Sequence, residues 1–164
     1  MAHEEIRFGK DRIEGVVDVG IVVISHFENP AKDAALEFLS DVLKWRRKCI
    51  IPTSAVLGAY HILTRYLKVE KTSAYETLTK TLKTQSPAFY EEIDVDVVLD
   101  SLTNALGYNI ESRDGYIVAL AKKFKATIYM IKLIKKVKDV PAVNPIPEDV
   151  FKEYNRWLRI HLNA

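Results

Sequence analysis

Five short runs of β-branched and apolar residues recur along this chain, each separated from the next by a stretch with helical periodicity. That alternation constrains the fold more than any single residue does. Ile13-Glu14-Gly15-Val16-Val17-Asp18-Val19 reads as a first buried strand, and Cys49-Ile50-Ile51, closed by Pro52, as a second. Residues 89–93, 126–131 and 141–145 supply a third, fourth and fifth. Between them, Gly20 begins a turn into a short helix over 21–27, and Asn29-Pro30 punctuates the chain. A helix over 31–45 follows, with Ala35, Leu36, Leu39, Val42 and Leu43 on one face. Thr53 or Ser54 caps the next helix, running towards Leu67, and Thr72 or Ser73 opens another that ends near Gln85-Ser86-Pro87. Asp94 caps a helix that stops at Gly107, Ser112 caps one with Asp114 in its first turn, and 148–162 closes the chain as an amphipathic helix. Strands that alternate with helices pair in parallel and need helices on both faces. The expectation is an α/β fold: a three-layer α/β/α sandwich with a short, mostly parallel central sheet. Residues 1–12 read as an N-terminal extension and 13–164 as one domain that includes the closing helix.

Composition narrows the function classes. Apolar residues make up 48% and charged residues 28%, a globular rather than a disordered balance. The single cysteine, Cys49, excludes an internal disulfide and a thiolate zinc site and suits a reducing compartment. No apolar run approaches the ~18 residues that span a bilayer, and the segment 1–10 lacks a signal-peptide pattern. A cytoplasmic protein with no membrane partner is expected. Net charge is only +2, but the cations cluster: Lys44, Arg46, Arg47 and Lys48; Lys122, Lys123 and Lys125; Lys132, Lys135, Lys136 and Lys138. Each cluster alone suits a helix end; three together favour a polyanion partner.

In open parallel sheets, ligands bind beyond the carboxyl ends of the strands. That rule selects Asp18, residues 52–58, residues 111–114 and Lys132. Asp18 ends an apolar run, so its carboxylate needs a hydrogen bond, an ion partner or a metal. It is either the cap of the following helix or a ligand for a hard cation. Asp114 opens a helix that leads to the same sheet edge, and Glu111 lies three residues earlier. Ser112 is a cap first and a ligand second. His26 and His61 have no serine or cysteine placed to complete a triad, and Tyr60, Tyr66 and Tyr75 read as packing or a dimer face. No Gly-rich phosphate loop is present.

Four words in order, Val17-Asp18-Val19-Gly20, Ile51-Pro52-Thr53-Ser54-Ala55-Val56-Leu57, Ser112-Arg113-Asp114-Gly115-Tyr116-Ile117-Val118-Ala119-Leu120-Ala121 and Thr127-Ile128-Tyr129-Met130-Ile131, resemble the PIN domain family over roughly residues 13–147, closest to its archaeal members. The resemblance implies a metal-dependent ribonuclease that holds Mg²⁺ or Mn²⁺ on three or four carboxylates, in a family that includes the toxins of toxin–antitoxin pairs. The family's first acid matches Asp18 and its third matches Asp114. The second falls on Gly58, or on Ala59 with a slip of one, and the fourth on Lys132. Glu111 makes up part of the missing count as a third metal-ligand candidate. Lys132, Lys135 and Ser54 are candidate contacts to phosphate, and the lysines are candidate substitutes for a metal cation. Two readings result: a ribonuclease of weakened activity resting on Asp18 and Asp114, or a catalytically degenerate fold that binds RNA or protein. RNA, a small antitoxin-type protein and a second copy, docked through the helix around 60–67, are the implied partners.

Overall fold

The computed structural model describes residues 12–91 and 93–162. Strand β1 (Gly15–Val17) is buried along its whole length and lies at the centre of the sheet. Such a strand must be apolar on both faces, which is what the fully enclosed Val16 and Val17 supply. It pairs in parallel with β2 (Cys49–Pro52) on one side and with β4 (Thr127–Tyr129) on the other. β3 (Phe89–Tyr90) adds beyond β2, and β5 (Ala142–Val143) beyond β4, giving the parallel order β3-β2-β1-β4-β5. The strands alternate between two cores. Val17, Ile51 and Phe89 face one layer of helices, while Val16, Ile50, Tyr90 and Ile128 face the other.

Among the described residues there are seven α-helices. On the first face lie α1 (Val19–Ile24), α2 (Lys32–Leu43), α3 (Thr53–His61) and α4 (Lys71–Leu82). On the second lies α6 (Ser112–Phe124), with α5 (Val95–Tyr108) packed against it. The closing helix α7 (Glu148–Leu162) brings Tyr154, Phe151 and Leu158 onto Ile24, Ala31 and Ala35. This is the expected three-layer α/β/α architecture.

Local chemistry shifts several element ends. Gly20 lies inside α1 rather than before it, and it packs where a Cβ would meet Ile131 Cγ1 at 2.7 Å. α3 runs into a π-helical turn (Ile62–Tyr66) that sets the His61 and Tyr66 rings edge to face at 5.5 Å. α4 is capped by Glu70 rather than Thr72 or Ser73. The Glu70 carboxylate accepts from the Thr72 and Ser73 N–H groups at 3.0 and 2.9 Å, which pulls its pKa down to about 2. Asp94 caps α5 as expected, accepting from the Val97 N–H at 2.9 Å. That helix continues past Gly107 to Tyr108 and stops where Asn109 adopts φ 53°. His26 is buried. Its Nδ1 lies 2.6 Å from the Val22 carbonyl and must carry the proton there, leaving Nε2 to accept from the Thr81 hydroxyl at 2.6 Å.

The two outer helices approach closely at one glycine. A Cβ on Gly115 would stand 2.3 Å from the Ser101 carbonyl oxygen, and the Asn104 side chain donates to the Gly115 carbonyl at 3.2 Å. α5 therefore packs through Val97 and Ser101, while Val95, Val98, Leu99, Leu102 and Leu106 remain on its outward surface. Because the obstacle at Gly115 is backbone, Gly115→Ala must push the helices apart. A loss of about 1–3 kcal/mol is expected, as for other overpacked cores, and urea unfolding of the two proteins measures it.

Candidate functional site

The sheet order places a topological switch at the centre. From β1 the chain builds outward through β2 and β3, then returns to β4 on β1's other side and continues to β5. The connections leave the carboxyl ends of β1 and β4 in opposite directions, which opens a crevice there. Asp18 is the first residue after β1. Its N–H donates to the Tyr129 carbonyl of β4 at 2.9 Å, so the acid is fixed at the switch by the sheet itself.

Asp18 stands at the N-cap position of α1 but makes no capping hydrogen bond with its side chain. It lines a pocket of about 260 Å³ with Val19, Ser54, Ala55, Gly58, Arg113, Tyr116 and Ile117. Enclosure raises its pKa to about 6, from an ordinary value of 3.8; the Val19 N–H opposes the rise, the Asp114 charge adds to it, and the Arg113 charge opposes it. Asp114, half-buried in the first turn of α6, is also raised, first by burial and then by Glu111. Arg113 and Lys132 favour its ionised form. Both carboxylates thus sit at one sheet edge, each held above its usual range mainly by desolvation.

The other expected residues divide. Ser54, in the first turn of α3, lines the pocket. Glu111 is the exposed N-cap of α6, in the place expected for Ser112, and it reaches the site only through its charge on Asp114. Lys132 follows β4 and is exposed; its charge acts on Asp114, yet among the described residues no ion pair within 4.0 Å joins it to either acid. It does not stand between the two carboxylates as a substitute cation would. Lys135 is exposed and does not line the pocket.

The cation beside Asp18 is Arg113. A Cβ on Gly58 would meet Arg113 Nη2 at 3.3 Å and Cζ at 3.5 Å, with Val19 Cγ2 at 3.2 Å. The guanidinium therefore rests against bare helix backbone at the position where an acid is expected by resemblance. Sequence reasoning passed over this residue, although one signal was available. A cation in the first turn of a helix opposes the macrodipole, so folding alone does not favour it. Tyr116, one turn further along α6, is the other missed member. Its hydroxyl is buried beside the Ser54 side chain, in a contact that falls short of a well-formed hydrogen bond among the described residues. Burial raises its pKa to about 12, and the Ser54 contact opposes the rise.

Most of the basic clusters are occupied elsewhere. Arg47 lies beside the adjoining Phe38 and Tyr129 rings, 5.0 Å from each centroid, and donates to the Tyr129 hydroxyl at 2.8 Å. Lys122 donates to the Tyr108 hydroxyl at 2.6 Å and stands 3.6 Å from Asp139, while Lys136 donates to the Asn109 carbonyl at 3.0 Å. A larger groove of about 590 Å³ between α5 and α6 sets Asp94, Asp96 and Asp100 opposite Lys122 and Lys123, away from Asp18. Among the described residues no group of three or more His, Cys, Asp or Glu side chains gathers to hold a metal. The donor set fits one hydrated hard cation on Asp18 and Asp114, since Mg²⁺ is commonly held by one or two carboxylates with waters. It does not fit a two-metal centre.

No protein-family model and no curated protein matches this chain. Among solved structures it is similar to PAE2754 from Pyrobaculum aerophilum, at 18% identity over 91% of this chain and 95% of that one, with a TM-score of 0.56. It is also similar to a chain of a toxin–antitoxin complex from Klebsiella pneumoniae, at 16% identity over 80% of this chain and 98% of that one, with a TM-score of 0.53. The chain shares their fold. Among the described residues, no helix is long and apolar enough to cross a membrane.

A carboxyl whose pKa is higher folded than unfolded contributes stability below the unfolded value of 3.8 and loses it as pH rises through about 6. Ionised Asp18 therefore burdens the empty protein at neutral pH. Asp18→Asn is expected to raise stability by about 3 kcal/mol at pH 7, with a gain that shrinks as pH falls towards 4. Urea unfolding across that pH window tests this; a destabilised Asp18→Asn protein at pH 7 would contradict it.

Proposed function

We propose that this chain is a PIN-type, metal-dependent ribonuclease working with a reduced set of acids. One observation carries the reading: Asp18 and Asp114, from different elements, converge at the switch point of a parallel sheet, and neither is neutralised by an ion pair within 4.0 Å among the described residues. Two desolvated carboxylates left so are a cation site in search of a cation. Asp18 and Asp114 would hold one Mg²⁺ or Mn²⁺, with Glu111 adding negative charge from the rim. A bound divalent ion supplies an acidified water and offsets charge as the phosphodiester is cut. Around it, Arg113 and Lys132 keep Asp114 ionised, and the sheet bond from Asp18 to Tyr129 fixes the first ligand.

A second reading has its own support. The guanidinium over Gly58 occupies the expected place of a second acid, which favours a fold that binds RNA or a protein partner without cutting. The similar Klebsiella pneumoniae chain comes from a toxin–antitoxin complex, and the shared fold supports a small antitoxin-type protein as a partner here too. A second copy of the chain is a further partner, supported by the exposed Tyr60 and Tyr66.

Manganese titration by calorimetry, paired with cleavage of single-stranded RNA, separates the readings. The nuclease reading expects uptake of one ion and slow cleavage, both lost in Asp18→Asn and in Asp114→Asn. No uptake at millimolar metal would sink it and leave the binding module. Restoring acids with Gly58→Glu and Lys132→Asp is expected to raise metal uptake, and more so when Arg113→Ala is added, because Arg113 would otherwise pair with the new glutamate.

A further inference from the structure

We infer that Arg113 is the anion-binding arm of the Asp18 pocket, taking one phosphate group of an RNA strand together with the hydroxyls of Tyr116 and Ser54. The inference deepens the proposed function and rests on its choice of RNA as ligand. Three features converge. The guanidinium lies 3.3 Å from where a Gly58 side chain would begin, yet it makes no hydrogen bond or ion pair of its own among the described residues. Its planar fork of donors is therefore uncommitted, in a geometry that suits phosphate oxygens. Tyr116 follows at i+3, on the same face of α6, and its buried hydroxyl meets the Ser54 side chain without a well-formed hydrogen bond among the described residues. Two hydroxyls so placed keep donor capacity for an anion. Ser54 brings the second hydroxyl from α3 across the same pocket of about 260 Å³.

The Tyr116 ring packs against the second core, but its hydroxyl turns to the pocket with Ser54. Arg113 is exposed at the pocket mouth, in a first helical turn where its charge opposes the dipole. A phosphate would engage both. Asp18 also lines the pocket, so an anion enters against carboxylate charge unless a cation or a proton offsets it. Arg113 carries part of that offset already, since its charge opposes the rise in pKa of Asp18 and of Asp114.

The test removes the carboxylates and omits metal. Inorganic phosphate is titrated calorimetrically into the Asp18→Asn/Asp114→Asn protein, with and without Arg113→Ala. Loss of one charge-assisted pair corresponds to about a ten- to hundredfold weakening, and Arg113→Lys should recover part of it. Tyr116→Phe should weaken phosphate severalfold while leaving the melting temperature of the phosphate-free protein nearly unchanged, a split that a purely structural tyrosine would not give. A short RNA with either a 5′-phosphate or a 5′-hydroxyl then shows whether a terminal or an internal phosphate is taken. Absence of phosphate binding in the double variant, or binding unaffected by Arg113→Ala, would overturn the inference. Because these titrations contain no metal and need no cleavage, they can succeed where the nuclease reading fails, and fail where it succeeds.

Discussion

Everything at the candidate site depends on the parallel pairing of β1 with β4. The bond from the Asp18 N–H to the Tyr129 carbonyl is the last rung of that ladder. It places a carboxylate at the one point where the chain departs from the sheet in two directions. Ladder hydrogen bonds cannot shift register singly without turning side chains to the opposite face. The acid is therefore positioned by the backbone, and nothing in its own side chain has to hold it there. Asp114 arrives by a separate route, through the packing of α6 on the same strands.

That division of labour explains why the pocket can be polar without being fully satisfied. The sheet and its two apolar layers fold around Val16, Val17, Ile50, Ile51 and Ile128, with the Tyr116 ring packed on the second layer. Among the described residues, the Asp18 carboxylate and the Arg113 guanidinium form no hydrogen bond or ion pair that builds the core. Elsewhere the polar groups are committed. His26 ties α1 to α4, Glu70 caps α4, and Arg47 rests against two adjoining rings. The contrast separates groups that build the molecule from groups that wait for something outside it.

The order of elements was legible because it is written in local periodicity. So were Asp18 and Asp114, since each follows from where a strand ends or a helix begins. Caps were half-legible. Glu70 and Glu111 displaced the neighbouring serines and threonines: Glu70, two residues before Thr72, satisfied the orphan N–H groups with its carboxylate, and Glu111, one before Ser112, took the cap position. What the sequence concealed were contacts across elements. Nothing local says that Arg113 leans on Gly58, residues far apart in the chain, or that the Tyr116 hydroxyl ends in a closed space. A glycine mid-helix and an arginine at a helix start are each mildly unfavourable alone. Only the packing of α3 against α6 shows that the two irregularities explain one another.

The burial of Asp18 also bears on why the residue is there. A carboxyl whose pKa is lifted to about 6 by enclosure makes the empty fold less stable near neutral pH than a neutral side chain would. The protein carries that cost at the centre of its sheet, where the strand end holds the carboxylate. A cation bound there would favour the ionised form and remove the cost.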